Sequence, residues 1–99
     1  EDRASVHAAF QWARHGRRDK IKQFCEGGFD VDMRNDFGQT LAMVAAQNNR
    51  KAILKILYRH GVRINETDWK GNTALHYAMK LGYGTLADYM IQKLGADDS

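Results

Sequence analysis

A chain of 99 residues with 43% hydrophobic and 27% charged side chains is long enough for one small globular domain, too short for a deep catalytic cavity and too apolar to stay disordered. Its net charge of +3 is uneven, with 12 basic against 8 acidic side chains in residues 1–66 and 3 against 4 in residues 67–99, which favours acidic partners without singling out nucleic acid. No apolar run approaches the roughly 20 residues of a membrane-spanning helix, and nothing at the N-terminus reads as a signal peptide.

The single cysteine, Cys25, can form neither an internal disulfide nor a zinc cluster, so a reducing intracellular compartment, cytoplasm or nucleus, is expected. Opening at Glu1 without a Met, the chain is expected to be part of a longer protein. Proline is absent and there are nine glycines, a pattern suited to helices joined by tight glycine turns.

In chain order, the first third gives the faintest signals: Gly16, Phe24, Gly28 and Val31, with Cys25 inside an apolar stripe. Gly38-Gln39-Thr40 then supplies a turn and a hydroxyl that can satisfy an orphan N–H at a helix start. A small-residue helix is expected over Ala42–Gln47, with Asn49 in the left-handed position after it. Ile53, Leu54, Ile56 and Leu57 form the stripe of a second helix, with Lys51, Lys55 and Arg59 outside it. Gly61 stops that helix, and Val62 to Gly71 reads as an extended, turned connection. Gly71-Asn72-Thr73 opens the next round, followed by a helix over Ala74–Lys80, then Gly82 and a stripe of Leu86, Tyr89 and Met90. Leu94 reads as a one-residue insertion before Gly95.

These elements recur every 33 residues. Gly38 falls on Gly71, Thr40 on Thr73, Ala45 on Ala78 and Asn35 on Asp68; Gly28 falls on Gly61, Phe24 on Leu57, Val31 on Ile64 and Asp32 on Asn65. Gly16, Asn49 and Gly82 make a third column. Each unit cannot bury its apolar face alone, whereas about three stacked copies can. Gly71-Asn72-Thr73-Ala74-Leu75-His76-Tyr77-Ala78 with Gly82, and Gly61-Val62-Arg63-Ile64-Asn65 before them, resemble the ankyrin repeat.

The resemblance covers nearly the whole chain as one domain, residues 1–99, with units over about 1–34, 35–67 and 68–99. It implies an all-α solenoid of three helix–turn–helix units with short β-hairpin loops. Against the family pattern, Ala8, Leu41 and Ala74 stand where proline is usual, and Phe10 and Met43 where histidine is. Unit one has Lys20 and Gln23 where unit two has Ile53 and Ile56, as a first unit with nothing stacked outside it requires. Unit three keeps its stripe, so its C-terminal face is expected to continue or be covered.

Catalytic and metal-binding patterns are missing. His76 lies in the Thr-x-Leu-His element, whose ring the resemblance assigns to backbone hydrogen bonds between repeats. His60 suits a helix C-terminus, and His7, at the usual Thr place of unit one, reads as a cap. No histidine pair has metal-ligand spacing. Cys25 reads as a buried small hydrophobe rather than a reactive thiol, and Glu26-Gly27-Gly28-Phe29 leads out of a helix, unlike a phosphate loop. No enzyme activity, cofactor or metal is expected.

The family binds partner proteins through loop tips and the exposed ends of the first helices. Carried over by register, this implies Arg34, Asp36, Phe37 and Gln39 in unit two and Thr67, Trp69, Lys70 and Asn72 in unit three. The helix ends give Arg14 and His15, Gln47 and Asn48, and Lys80 and Leu81. Phe37 and Trp69 stand out, because turn positions are normally polar and aromatic side chains dominate binding hot spots. The plainer alternative is that each ring packs on its neighbouring loop.

Arg17 with Arg50, Arg18 with Lys51, and Lys22 with Lys55 lie one period apart and should align as a basic ladder, which Tyr83, Gly84 and Asp88 break in unit three. A solvated helix face is one reading. A second site for an acidic segment, phosphate or RNA is the other, although no aromatics interleave the ladder for base stacking. The expectation is therefore a monomeric, non-catalytic protein-interaction module (adaptor, scaffold or targeting segment), with no membrane contact. The alternatives are electrostatic binding of nucleic acid or an anionic ligand, or a structural spacer.

Overall fold

A computed structural model describes residues 3–98. They form six helices: α1 (Arg3–Arg14), α2 (Arg18–Glu26), α3 (Leu41–Gln47), α4 (Lys51–Arg59), α5 (Ala74–Lys80) and α6 (Gly84–Leu94). The odd-numbered helices pack side by side in one layer, α1 on α3 and α3 on α5, and the even-numbered helices form the layer behind them. Each unit is thus a helix pair touching only its neighbours, and the architecture is an all-α repeat fold.

The core lies between the layers. Ala9, Ala13, Ala45, Ala46 and Ala78 are fully buried, and their small side chains let the first-layer helices approach closely. Ile21, Ile53, Leu54, Leu57 and Met90 fill the space behind them, fully buried, each contributing about 1.5–3 kcal/mol through removal from water. Gly16, Asn49 and Gly82 all have positive φ (70°, 57° and 81°), reversing the chain between the two helices of each unit.

The first helices of units two and three begin alike. Thr40 Oγ1 accepts from the Met43 N–H (3.3 Å), while the Thr40 N–H donates to the Met43 sulfur (3.4 Å). Thr73 Oγ1 accepts from the His76 N–H (3.2 Å), and the Thr73 N–H donates to His76 Nδ1 (3.0 Å). These are reciprocal capping boxes with Met and His replacing the usual Glu or Gln. The His76 ring therefore bonds backbone inside its own unit rather than between units. α3 begins one residue before the expected Ala42, because Thr40 is its cap.

Unit one departs most from expectation. His7 is not a cap: α1 starts at Arg3, since no Gly-x-Thr turn interrupts the helical run, and His7 lies one turn inside it. Trp12 occupies the position of the fully buried Ala45 and Ala78 and meets Phe24 edge-on at 6.4 Å. Phe24 in turn stacks on Phe29 at 4.7 Å. Gln23 is exposed where Ile56 is half-buried, in keeping with the polar face expected of this unit.

The loops are simpler than the expected β-hairpins. Among the described residues there is no strand, only one antiparallel bridge between Arg34 and Thr40. Side chains do the work of a second strand: Asn35 Oδ1 accepts from the N–H groups of Phe37 and Gln39, and Asp68 Oδ1 from those of Lys70 and Asn72, each at 2.9 Å. At the opposite end of each unit, Asp32 Oδ1 accepts from the Arg63 N–H and Asn65 Oδ1 from the Asp97 N–H, both at 2.8 Å. The second bond is one residue longer in sequence than the first, which locates the Leu94 insertion. α6 runs 11 residues and ends on Leu94, buried at 3% exposure, with Gly95 left-handed immediately after it.

Candidate functional site

The expected contact residues lie at the C-terminal ends of α1, α3 and α5 and on the 34–39 and 67–72 loops. Arg14, Gln47 and Lys80 are the last residues of their helices, with His15, Asn48 and Leu81 next to them. Between α1 and the 34–37 loop runs an open groove of about 700 Å³, with Phe10, Gln11 and Arg14 along the helix side and Arg34 and Phe37 on the loop side.

Several of the expected contact residues are tied into the fold. The Arg34 guanidinium donates to the carbonyl oxygens of Gly38 (2.6 Å) and Thr67 (2.7 Å) and lies 3.5 Å from Glu66, so one side chain joins both loops. Gln39 accepts from the Asn35 amide (3.0 Å) and reaches the Tyr77 hydroxyl (3.4 Å). The Asn48 amide donates to the Val44 carbonyl at 2.8 Å, answering an orphan helix-end acceptor. Asp36 pairs with Arg3 at 3.4 Å across an exposed surface, a contact of small energetic weight.

Phe37 and Trp69 remain open, at 72% and 73% exposure. They differ in support. Trp69 rests against Gly38 of the preceding loop, so one side of its indole is covered and the other faces outward. Lys70, Lys80 and Leu81 are exposed, and the Thr67 backbone carbonyl accepts from Arg34.

Behind the 67–72 loop the Tyr77 hydroxyl donates to Asp68, a carboxylate only 6% exposed. Burial pushes this carboxyl upward, but hydrogen bonds from Tyr77 and from the N–H groups of Asn72 and Lys70 outweigh it and hold Asp68 below its ordinary value. Burial also raises the Tyr77 phenol, and its bond to Asp68 adds to the shift. The charged form of Asp68 therefore fastens the loop carrying Trp69 to α5. The register equivalence of Asn35 and Asp68 signals the turn in the sequence, but nothing there links Asp68 to Tyr77.

The basic ladder lies along the second-layer helices and the turns that lead into them. Arg17 and Arg50 precede α2 and α4, and Arg18 and Lys51 are their first residues. Arg50 is not a solvated cation: its Nε donates to the Arg14 carbonyl at 3.0 Å, and its side chain runs past Gly16. Lys51 places its ammonium 4.5 Å from the centre of the Tyr89 ring. Arg17, Arg18, Lys22 and Lys55 are exposed. Cys25 is buried, as expected, and burial with the nearby Glu26 raises its thiol pKa, which lowers its reactivity.

Sequence reasoning passed over the α1 side of the groove, Val6, His7, Phe10 and Gln11. The available signal was the spacing of Val6, Phe10 and Ala13, one helical face extending further back than the unit-one register suggested.

Residues 7–98 match the family described as ankyrin repeats, in three copies. A putative ankyrin repeat protein of Acanthamoeba polyphaga mimivirus is 32% identical over 73 residues, covering 74% of this chain and 10% of that protein. An intracellular phospholipase A2 of Caenorhabditis elegans is 37% identical over 59 residues, 57% of this chain and 6% of the other. A probable E3 ubiquitin-protein ligase of Oryza sativa subsp. japonica is 30% identical over 84 residues, 79% and 17%. The chain thus spans a small fraction of each of these relatives. No helix among the described residues is long and apolar enough to cross a membrane.

Proposed function

The chain belongs to the ankyrin-repeat family, and from that premise we propose that it is a non-catalytic module that binds a partner protein through its loop tips and first-layer helix ends, inside a larger intracellular protein. The observation that supports this reading is the pair Phe37 and Trp69. Two large rings stand exposed on loops whose backbones are fixed by Asn35, Asp68 and Arg34. A rigid loop bearing an open aromatic side chain loses little conformational freedom on binding, so most of the burial energy of the ring goes into affinity.

The lipase and ligase names belong to proteins many times longer than the matched segment, and no step of their chemistry is carried over. The basic ladder supports the nucleic-acid alternative poorly, since Arg50 and Lys51 are engaged within the fold.

Affinity capture from lysate with three baits tests the proposal: the unaltered chain, a Trp69→Ala/Phe37→Ala variant and an Arg18→Gln/Lys22→Gln/Lys55→Gln variant. A protein retained by the first and third but lost by the second is the expected result. A partner lost only with the ladder variant would move the site to the second layer.

A further inference from the structure

The groove beside α1 has an electrostatic character that narrows the partner, on the reading that the first-layer surface is the binding face. Among the described residues, Arg3, Arg14 and Arg34 contribute side chains to it, against one carboxylate, that of Asp36. Two of those cations are answered locally. Arg3 lies 3.4 Å from Asp36, and Arg34 is held by two carbonyls and Glu66. Arg14 is not: its Nη1 donates to the neutral Gln11 amide oxygen at 3.3 Å, and among the described residues it has no salt bridge to a carboxylate.

Arg14 is also half-buried, so its charge is partly removed from water without a counter-charge in place. A guanidinium carries five donors in a planar fork that matches a carboxylate, and an amide oxygen satisfies one of them. The end of α1 accounts for a cation here through the helix dipole, but not for the neutral residue one turn before it, where a Glu would complete the pair. Phe37 stands on the opposite wall of the groove, exposed.

The same sign continues along the surface. Lys80 occupies in unit three the place of Arg14, and Lys70 that of Phe37, and neither has a salt bridge among the described residues. Glu66 is held by Arg34 and Arg63 (3.6 Å), and Asp68 is enclosed. Asp19, Glu26 and Asp88 belong to the second layer, on α2 and α6. Among the described residues, the first-layer surface therefore presents positive charge with little opposing charge of its own.

We infer that this groove takes an acidic segment of the partner protein, one of whose carboxylates pairs with Arg14 while an adjacent apolar side chain covers the Phe37 ring. A volume of about 700 Å³ lies within the range of ligand sites, and its open form suits a chain passing through rather than a closed small-molecule pocket. Nucleic acid fits less well, because the cations are scattered among apolar groups rather than spaced along a continuous track.

Short random peptides displayed on phage and panned against the 99-residue chain test this directly. Asp and Glu are expected to outnumber Lys and Arg among the selected sequences, next to an aliphatic or aromatic residue. A synthetic copy of a selected peptide should bind about tenfold or more weakly to Arg14→Gln, should recover in part with Arg14→Lys, and should weaken as salt rises. Arg18→Gln/Lys22→Gln should leave it unchanged. Arg14→Gln keeps the main-chain carbonyl that holds Arg50, and circular dichroism verifies its fold.

Neutral or basic peptides whose binding is lost with Phe37→Ala would overturn the acidic segment yet leave the binding face in place. Indifference of acidic peptides to Arg14→Gln would overturn the pairing. Selected peptides indifferent to Arg14, Phe37 and Trp69 together, or a single-stranded oligonucleotide that displaces the peptides at equal charge, would remove both the segment and the face.

Discussion

Trp69 lies directly against Gly38 of the preceding loop: a Cβ placed on Gly38 would stand 2.7 Å from three atoms of the indole. Gly38 also has a φ of +76°, so two separate constraints select glycine there. At the equivalent Gly71 only the second applies, because its φ is +82° and nothing lies near its missing side chain. Gly71→Ala should therefore cost about 1–2 kcal/mol for left-handed backbone alone, and Gly38→Ala about 1 kcal/mol more through displacement of the ring. Urea denaturation of both, repeated with Trp69→Ala present, measures the difference. Equal costs in the unaltered background would mean that the ring is not braced on the loop.

Trp69→Ala alone should leave helical circular dichroism unchanged and lower stability by about 1 kcal/mol or less, since 73% of the residue is exposed. Its effect on a partner complex should be larger, about 2 kcal/mol, the size usual for a central aromatic contact. A variant that unfolds outright would make the ring a structural element instead.

Arg34 holds two loops through backbone carbonyls, so Arg34→Gln should destabilise the chain by about 1–3 kcal/mol. Arg34→Lys should recover only part of this, because an ammonium cannot reproduce the planar fork. Arg18→Gln, on an exposed helix start, should stay within about 0.5 kcal/mol of the unaltered protein. Thermal unfolding at matched pH compares the three.

Asp68 gives the fold an acid-sensitive joint. Its carboxyl sits below its ordinary value in the folded state, so the stabilisation it supplies is complete above the unfolded carboxylate value of about 4 and is lost as pH falls through the folded one. Tyr77→Phe removes the side-chain hydrogen bond that opposes burial. The stability of that variant, followed by urea titration at descending pH, should be lower near neutrality and should fall less steeply on acidification. Parallel curves would dismiss the Tyr77 contribution.

Met79 occupies the register position of Ala13 and Ala46, yet it is 56% exposed where both alanines are fully buried. The following unit covers Ala13 and Ala46, whereas Met79 belongs to the last described unit. Met79→Ala should shift stability by no more than about 0.5 kcal/mol, whereas Ala46→Met should cost about 1–3 kcal/mol by overfilling the space between α3 and α5. Equivalent costs would break the register.

The helix pairs were legible because their signals are local: a hydroxyl before α3 and α5, apolar spacing along α4, and a left-handed residue after each first helix. The start of α1 was not, because unit one lacks the turn that marks the others and helix formation simply runs back to Arg3. The surface was readable as a set of register positions but not as individual roles. Arg34 looks the same in sequence whether it faces a partner or spans two loops, and only the nearness of Gly38 and Thr67 separates the cases. Arg50, aligned with Arg17, turns inward for the same reason: the Arg14 carbonyl comes within its reach once the units stack.

Because each helix pair touches only those beside it, a genetic duplication or loss of one such stretch would disturb two seams and leave the remainder of the wall intact. Length is thus a property that heredity can adjust without redesigning any interior.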